Sequence, residues 1–174
     1  MKNLTMSYSL YSKALHWVMG IIIMAMLILG FYLDDLPDEN KGLGYMIHKS
    51  TGLLLLIMVV IRLIMRFTSQ YPVLPESTPK IVTYVAKLNV LGLYIIMILM
   101  PLSGFLMSTF SGRPVPFYGI FQIDGFTANE FISGISYSFH SIGGYIFILL
   151  IAGHILGGLF HHFVLKDNVL RRML

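Results

Sequence analysis

The stretch YSFHSIGGYIFILLIAGHILGGLFHHFVL, Tyr137 to Leu165, decides the fold. It is longer than the roughly 20 apolar residues that carry a helix across a bilayer. Within it, His140 and His154 stand fourteen positions apart. Fourteen residues make almost four whole helical turns, so both imidazoles share one face, about 21 Å apart along the axis. One histidine therefore falls near each edge of the hydrocarbon layer. Glycines follow each at three and four residues: Gly143 and Gly144 after His140, Gly157 and Gly158 after His154. Those positions lie over the histidine's own face, so each imidazole stands beside a strip of helix without side chains. A flat, bulky group bonded to the imidazole has room there.

Composition sets the class. Hydrophobic residues make up 56% of the 174 and charged residues 11%, with a mean hydropathy of +0.78. A soluble domain averages about 25% charged, so the chain reads as a polytopic membrane protein. It has no cysteine. That excludes disulfides, thiolate metal sites, iron–sulfur clusters and covalent haem attachment through Cys-x-x-Cys-His. The formal charge of +4 does not point to nucleic acid, because the basic residues gather at the ends of apolar runs.

Three further apolar runs precede Tyr137. The spans are expected at about 14–33, 44–67, 81–109 and 137–165. The first follows a basic start, as in a signal peptide. It is too long for such a segment, contains His16 and Trp17, and ends in Asp34 and Asp35 without a small-residue cleavage site, so it counts as a helix. Pro72, Pro75 and Pro79 close the second loop, and Pro101 and Gly104 predict a kink inside the third span. The glycine- and aromatic-rich stretch 110–136 reads as a surface loop. Four spans put both termini on one side. Lys2, Lys13, Arg62, Arg66, Lys80, Lys87, Lys166, Arg171 and Arg172 fall there, against Lys41, Lys49 and Arg113 opposite. The positive-inside rule then makes that side cytoplasmic. The expected fold is all-α: a four-helix transmembrane bundle forming one domain over 1–174, both termini cytoplasmic.

Ionisable residues inside spans are costly and mark functional sites. Depth alone pairs His48 with His140 towards the outside, and His16 with His154 towards the inside. His16 has Gly20 four residues on, and His48 has Gly52, so with Gly144 and Gly158 all four have bare backbone one turn later. Close helix packing also explains single glycines, and an interhelical hydrogen bond explains a single histidine. His161 and His162 lack the glycines and read as ordinary polar residues at the helix end. Zinc and copper accept imidazole, yet two histidines fall short of the four ligands zinc takes, whereas two axial ligands complete a haem iron. Two depth-matched pairs therefore point to two non-covalent bis-histidine haems, a ligation that favours electron transfer over oxygen activation. Arg62, fourteen residues after His48, and Arg66 one turn beyond are candidate partners for inner propionates or a quinone head; snorkelling to the interface is the alternative. Lys49 is the outer candidate, with Lys41 and Arg113 behind it.

The chain resembles the bacterial cytochrome b561 family over nearly its whole length. The resemblance rests on Leu15-His16-Trp17, His48-Lys49-Ser50-Thr51-Gly52, Arg62-Leu63-x-x-Arg66 and Leu99-Met100-Pro101-Leu102-Ser103-Gly104. Ser111-Gly112-Arg113-Pro114, His140, His154, His161-His162-Phe163 and Leu170-Arg171-Arg172-Met173-Leu174 complete it. It implies an inner-membrane protein with two haem b groups, ligated by His16, His48, His140 and His154. It also implies electron flow between an outer reductant and membrane quinone. In the family's best-defined member superoxide is oxidised to dioxygen and ubiquinone reduced, and a cation such as Lys49 near the outer haem would attract the anion. Two positions depart from the family pattern: Val90 where a histidine is frequent, and Ser141 where glutamate is frequent.

Three classes of function follow. One is a superoxide oxidase-like oxidoreductase; a second is a relay subunit passing electrons for a partner protein. The third is a transporter or scaffold whose histidines bind metal or pack.

Overall fold

A computed structural model describes residues 7–174; Lys2 of the charge count lies outside them. Four long helices dominate: α1 (Leu10–Tyr32), α2 (Asp38–Thr68), α3 (Lys80–Thr109) and α4 (Glu130–Phe163). Each is long and apolar enough to cross a membrane. A short antiparallel hairpin, β1 (Val115–Phe117) and β2 (Phe121–Ile123), sits between α3 and α4, and a 3-10 turn (Leu170–Arg172) follows α4.

Three helices begin earlier than their apolar runs. Ser9 caps α1, its Oγ accepting from Ser12 N at 3.2 Å. Asn129 caps α4 through Oδ1 and Ile132 N, so the helix starts at Glu130, seven residues before Tyr137. Pro37 precedes α2, and the acids Asp38 and Glu39, expected in the loop, form its first turn, where carboxylates complement the helix dipole. Hydropathy locates the part of a helix that lies in lipid. Capping chemistry decides where the helix starts.

The expected surface loop 110–136 is therefore shorter and partly ordered. Val115 pairs with Ile123 and Phe117 with Phe121, and the rings of Phe117 and Phe121 stack 5.0 Å apart. Tyr118 and Gly119 turn the chain with φ of 49° and 75°. Three consecutive side chains of α2 fasten this hairpin. Lys49 Nζ donates to Ser108 Oγ at 2.7 Å and to the Pro114 carbonyl at 3.0 Å. Ser50, fully buried, donates to the Pro116 carbonyl and accepts from Tyr118 N. Thr51 Oγ1 meets the Tyr118 hydroxyl at 2.8 Å.

Packing runs in sequence: α1 on α2, α2 on α3, α3 on α4. The last contact is the most extensive, and glycines let α3 and α4 approach. A Cβ on Gly143 would fall 2.7 Å from Met100 Sδ, and one on Gly153 3.0 Å from Asn89 Nδ2. Asn89 uses that approach to donate to the Leu150 carbonyl at 3.0 Å. Helix α4 has no comparable packing with α1 or α2 among the described residues. The buried core is small, with Met19, Ile23, Leu27, Val59, Ile96 and Phe147 at its centre. Most other large apolar side chains point outward, as a surrounding of lipid tails permits.

The first described residues and the C-terminus lie at one end of the bundle, here called the terminal end. Tyr8 N donates to the Arg172 carbonyl at 3.2 Å and Trp17 Nε1 to the Met173 carbonyl at 2.9 Å. Lys13 Nζ donates to the Leu174 carbonyl, and Arg172 reaches the Val73 carbonyl between α2 and α3.

Candidate functional site

The histidines on α4 meet partners from different helices. His154 and His16 of α1 lie with ring centroids 5.9 Å apart at the terminal end. His140 and His48 of α2 lie 6.0 Å apart at the hairpin end. Both pairs bridge α4 to helices with which it hardly packs, so side chains rather than helix contact bring the imidazoles together. A cavity of about 500 Å³ opens between α1 and α4, lined by Met24, Leu27, Ile28, Phe31, Tyr32 and Ile148.

His140 is the most firmly held of the four. Its Nδ1 lies 2.9 Å from the Met100 carbonyl and 3.2 Å from Ser103 Oγ. A carbonyl can only accept, so His140 donates through Nδ1 and leaves Nε2 as an electron-pair donor. The sequence Met100-Pro101-Leu102-Ser103-Gly104 builds this seat. Gly104 admits the ring, since a Cβ there would lie 3.0 Å from His140 Cε1. Gly30 of α1 does the same for His48, with a Cβ at 3.1 Å from its Cε1. His48 Nδ1 is buried without a hydrogen-bond partner among the described residues.

His16 is held by a cation. Arg62 donates to His16 Nδ1 at 3.1 Å and to the Ser12 carbonyl at 3.3 Å. Arginine has no acceptor, so the neutral ring carries its proton on Nε2. Arg66 stands elsewhere, its guanidinium 3.4 Å over the Tyr71 ring. Lys49 lies beside His48, but its ammonium is bound to Ser108 and Pro114.

The glycines expected to flank the imidazoles divide. Nothing lies within 4 Å of a Cβ built on Gly20, Gly52 or Gly157. Phe31 approaches Gly144 at 3.4 Å and Leu170 approaches Gly158 at 3.6 Å, while Gly143 is taken by Met100. Open backbone one turn after the histidine is therefore found on α1 and α2, and only at Gly157 on α4. Side chains from other elements reach the rest, which no reading of one helix reveals.

His161 also departs from expectation. It is buried at 3% exposure rather than a polar end residue, and its Nδ1 meets Asp167 Oδ2 at 2.6 Å. The reason is the chain after α4, which turns back at Lys166 (φ 52°) and brings Asp167 under the helix.

Over residues 7–174 the chain matches the family described as prokaryotic cytochrome b561. It belongs to that family. It is 32% identical over 171 residues to "Cytochrome b561 homolog 2" of Escherichia coli (strain K12), covering 96% of this chain and 90% of that one. It is 29% identical over 167 residues to "Cytochrome b561 homolog 1" of the same organism, covering 92% of each. With "Probable superoxide oxidase CybB" of Yersinia pestis it shares 25% identity over 172 residues, 96% of this chain and 95% of that protein. A cytochrome b561 with four spanning helices is a multi-pass bacterial membrane protein of electron transfer, and the family implies haem b as cofactor.

The paired imidazoles fit such a group. Two metal–imidazole bonds of about 2 Å each, extended to the ring centres, put trans imidazoles about 6 Å apart, close to the spacing of both pairs. The donor set agrees: among the described residues no third His, Cys, Asp or Glu joins either pair, as two axial positions require. His140 already presents Nε2. At His16, ligation through Nε2 would move the ring proton to Nδ1 and release the hydrogen bond from Arg62.

Proposed function

We propose that this cytochrome b561 holds two haem b groups, one between His48 and His140 and one between His16 and His154. It passes electrons from a donor outside the inner membrane to membrane quinone. Superoxide is the donor that the likeness to the Yersinia pestis protein favours. The observation that carries the reading is the pair of facing imidazoles at each end of α4.

Haem b held by two histidines would supply a one-electron iron centre suited to electron transfer rather than oxygen binding. The chain does the rest. The Met100 carbonyl fixes the tautomer of His140, and such a partner raises a ligand's basicity. The hairpin, fastened by Lys49, Ser50 and Thr51, fixes the outer approach to His48, and Lys49 with Arg113 supplies positive potential there for an anion. Two superoxide ions each lose one electron to give dioxygen, and one quinone takes two electrons and two protons. Arg62, beside His16 at the terminal end, is the partner for a propionate or a quinone head. The termini face the cytoplasm, following the charge bias of the loops.

Mixing purified holoprotein with superoxide and a ubiquinone analogue tests the function. The proposal expects reduction of the haem by superoxide, followed by its reoxidation by quinone. Absence of reduction by superoxide, with a dehydrogenase or periplasmic protein co-purifying, would instead make this chain a relay subunit.

A further inference from the structure

A second pocket lies at the terminal end, away from all four imidazoles. It has a volume of about 210 Å³ and is lined by Ser7, Asn168, Arg171 and Arg172. Its walls are held in place. Ser7 Oγ donates to the Arg172 carbonyl at 3.0 Å, Arg172 N donates to the Asn168 carbonyl at 3.1 Å, and the Arg172 guanidinium is fixed on Val73. Two arginines therefore line one small pocket. Neither pairs with a carboxylate among the described residues, where the ion pairs are Lys41–Asp38 and His161–Asp167. Arg171 is exposed and forms no side-chain hydrogen bond among the described residues.

Position narrows the ligand. The pocket lies where α1 begins and just beyond the end of α4, at the edge of the apolar spans. Leu10 (77% exposed), Tyr11 (80%) and Phe163 (67%) ring that level with apolar surface. A cationic pocket bordered by apolar side chains at the bilayer edge suits a phosphate group whose carrier lies in the membrane. Basic pockets on the cytoplasmic side of membrane proteins take lipid head groups in this way, and arginine matches phosphate geometry in a bidentate fork.

We propose that Arg171, Arg172, Asn168 and Ser7 form a phosphate-binding site, occupied by the head group of an anionic phospholipid. Because Ser7 meets Arg172 here, a bound phosphate would also tie the chain after α4 to the segment leading into α1.

The test uses full-length holoprotein in nanodiscs of phosphatidylcholine with and without phosphatidylglycerol. Native mass spectrometry then counts the lipid retained after release into mild detergent. A second arm titrates inorganic phosphate into the delipidated protein by calorimetry. Arg171→Gln removes a cation without breaking a side-chain hydrogen bond or ion pair among the described residues; Lys80→Gln is the control outside the pocket. Retention of phosphatidylglycerol over phosphatidylcholine, about fivefold weaker in Arg171→Gln for the one charge lost and unchanged in Lys80→Gln, is the expected result. Phosphate binding that Arg171→Gln weakens, without lipid preference, would keep the site and assign it to a free anion, overturning the lipid occupant. If neither arm responds to Arg171→Gln, or Lys80→Gln has the same effect, the site does not exist.

Discussion

Gly104 of α3 stands against the imidazole of His140, so close that a methyl group on the glycine would lie 3.0 Å from Cε1 and 3.2 Å from Nδ1. The missing side chain is what lets Nδ1 reach the Met100 carbonyl. Gly104→Ala should push the ring away and break that hydrogen bond, costing about 1–3 kcal/mol by overpacking. Gly42→Ala, near the start of α2 with nothing within 4 Å, should be neutral or slightly stabilising, as alanine in place of helical glycine usually is. Thermal melts and the haem absorption of the two variants check the contrast. Equal behaviour would remove Gly104 from the seat of His140.

Single histidine replacements should separate the two centres. His140→Ala is expected to lose the haem at the hairpin end and His16→Ala the one at the terminal end, each leaving about half the pigment. His162→Ala should retain both. Pigment extraction reads the result. Loss of both haems from every variant, His162→Ala included, would speak for a general fold defect instead.

The ring planes of the pairs cross at 62° for His16 and His154 and at 79° for His48 and His140. Crossed axial imidazoles leave two iron π orbitals nearly equal in energy, whereas parallel ones split them. Ferric protein should therefore show strongly anisotropic low-spin electron paramagnetic resonance signals, more so for the hairpin-end centre. Two ordinary rhombic signals would contradict these orientations.

Ser50 is fully buried and bonds the hairpin on both sides, to the Pro116 carbonyl and from Tyr118 N. Ser50→Ala leaves those groups unpaired, a cost of about 1–3 kcal/mol. Hydrogen exchange at Tyr118 should quicken accordingly while the transmembrane helices stay protected. Unchanged exchange would mean that Lys49 and Thr51 suffice to hold the hairpin.

The buried His161 gives a further test. Asp167→Ala strips its Nδ1 partner, which costs about 1–3 kcal/mol for a buried polar group. The double variant Asp167→Ala/His161→Leu should recover part of that loss in a thermal melt. Simple additivity of the two losses would deny the pair.

Much of this architecture is legible in the amino-acid sequence. The four spans follow from hydropathy, and the pairing of His16 with His154 and of His48 with His140 follows from depth, because a bilayer turns position along a helix into position in space. What stayed hidden depends on side chains from other elements. Nothing around Asn129 signals lipid, yet it starts α4. The seat of His140 is a carbonyl of α3, the anchor of Lys49 is Ser108, and the space at Gly144 is taken by Phe31 of α1. Helical periodicity shows which residues share a face but not what stands opposite. The pairing of Asp167 with His161 needs a reversal of the chain at a residue with positive φ, which lysine does not advertise.

The account stands on the number of porphyrins in the purified protein. Extraction of pigment from chain expressed with ample haem supply, set against protein mass, measures it directly. The expected result is about two haem b per chain, with a six-coordinate low-spin spectrum. One haem, or none, would contradict the assignment of both imidazole pairs.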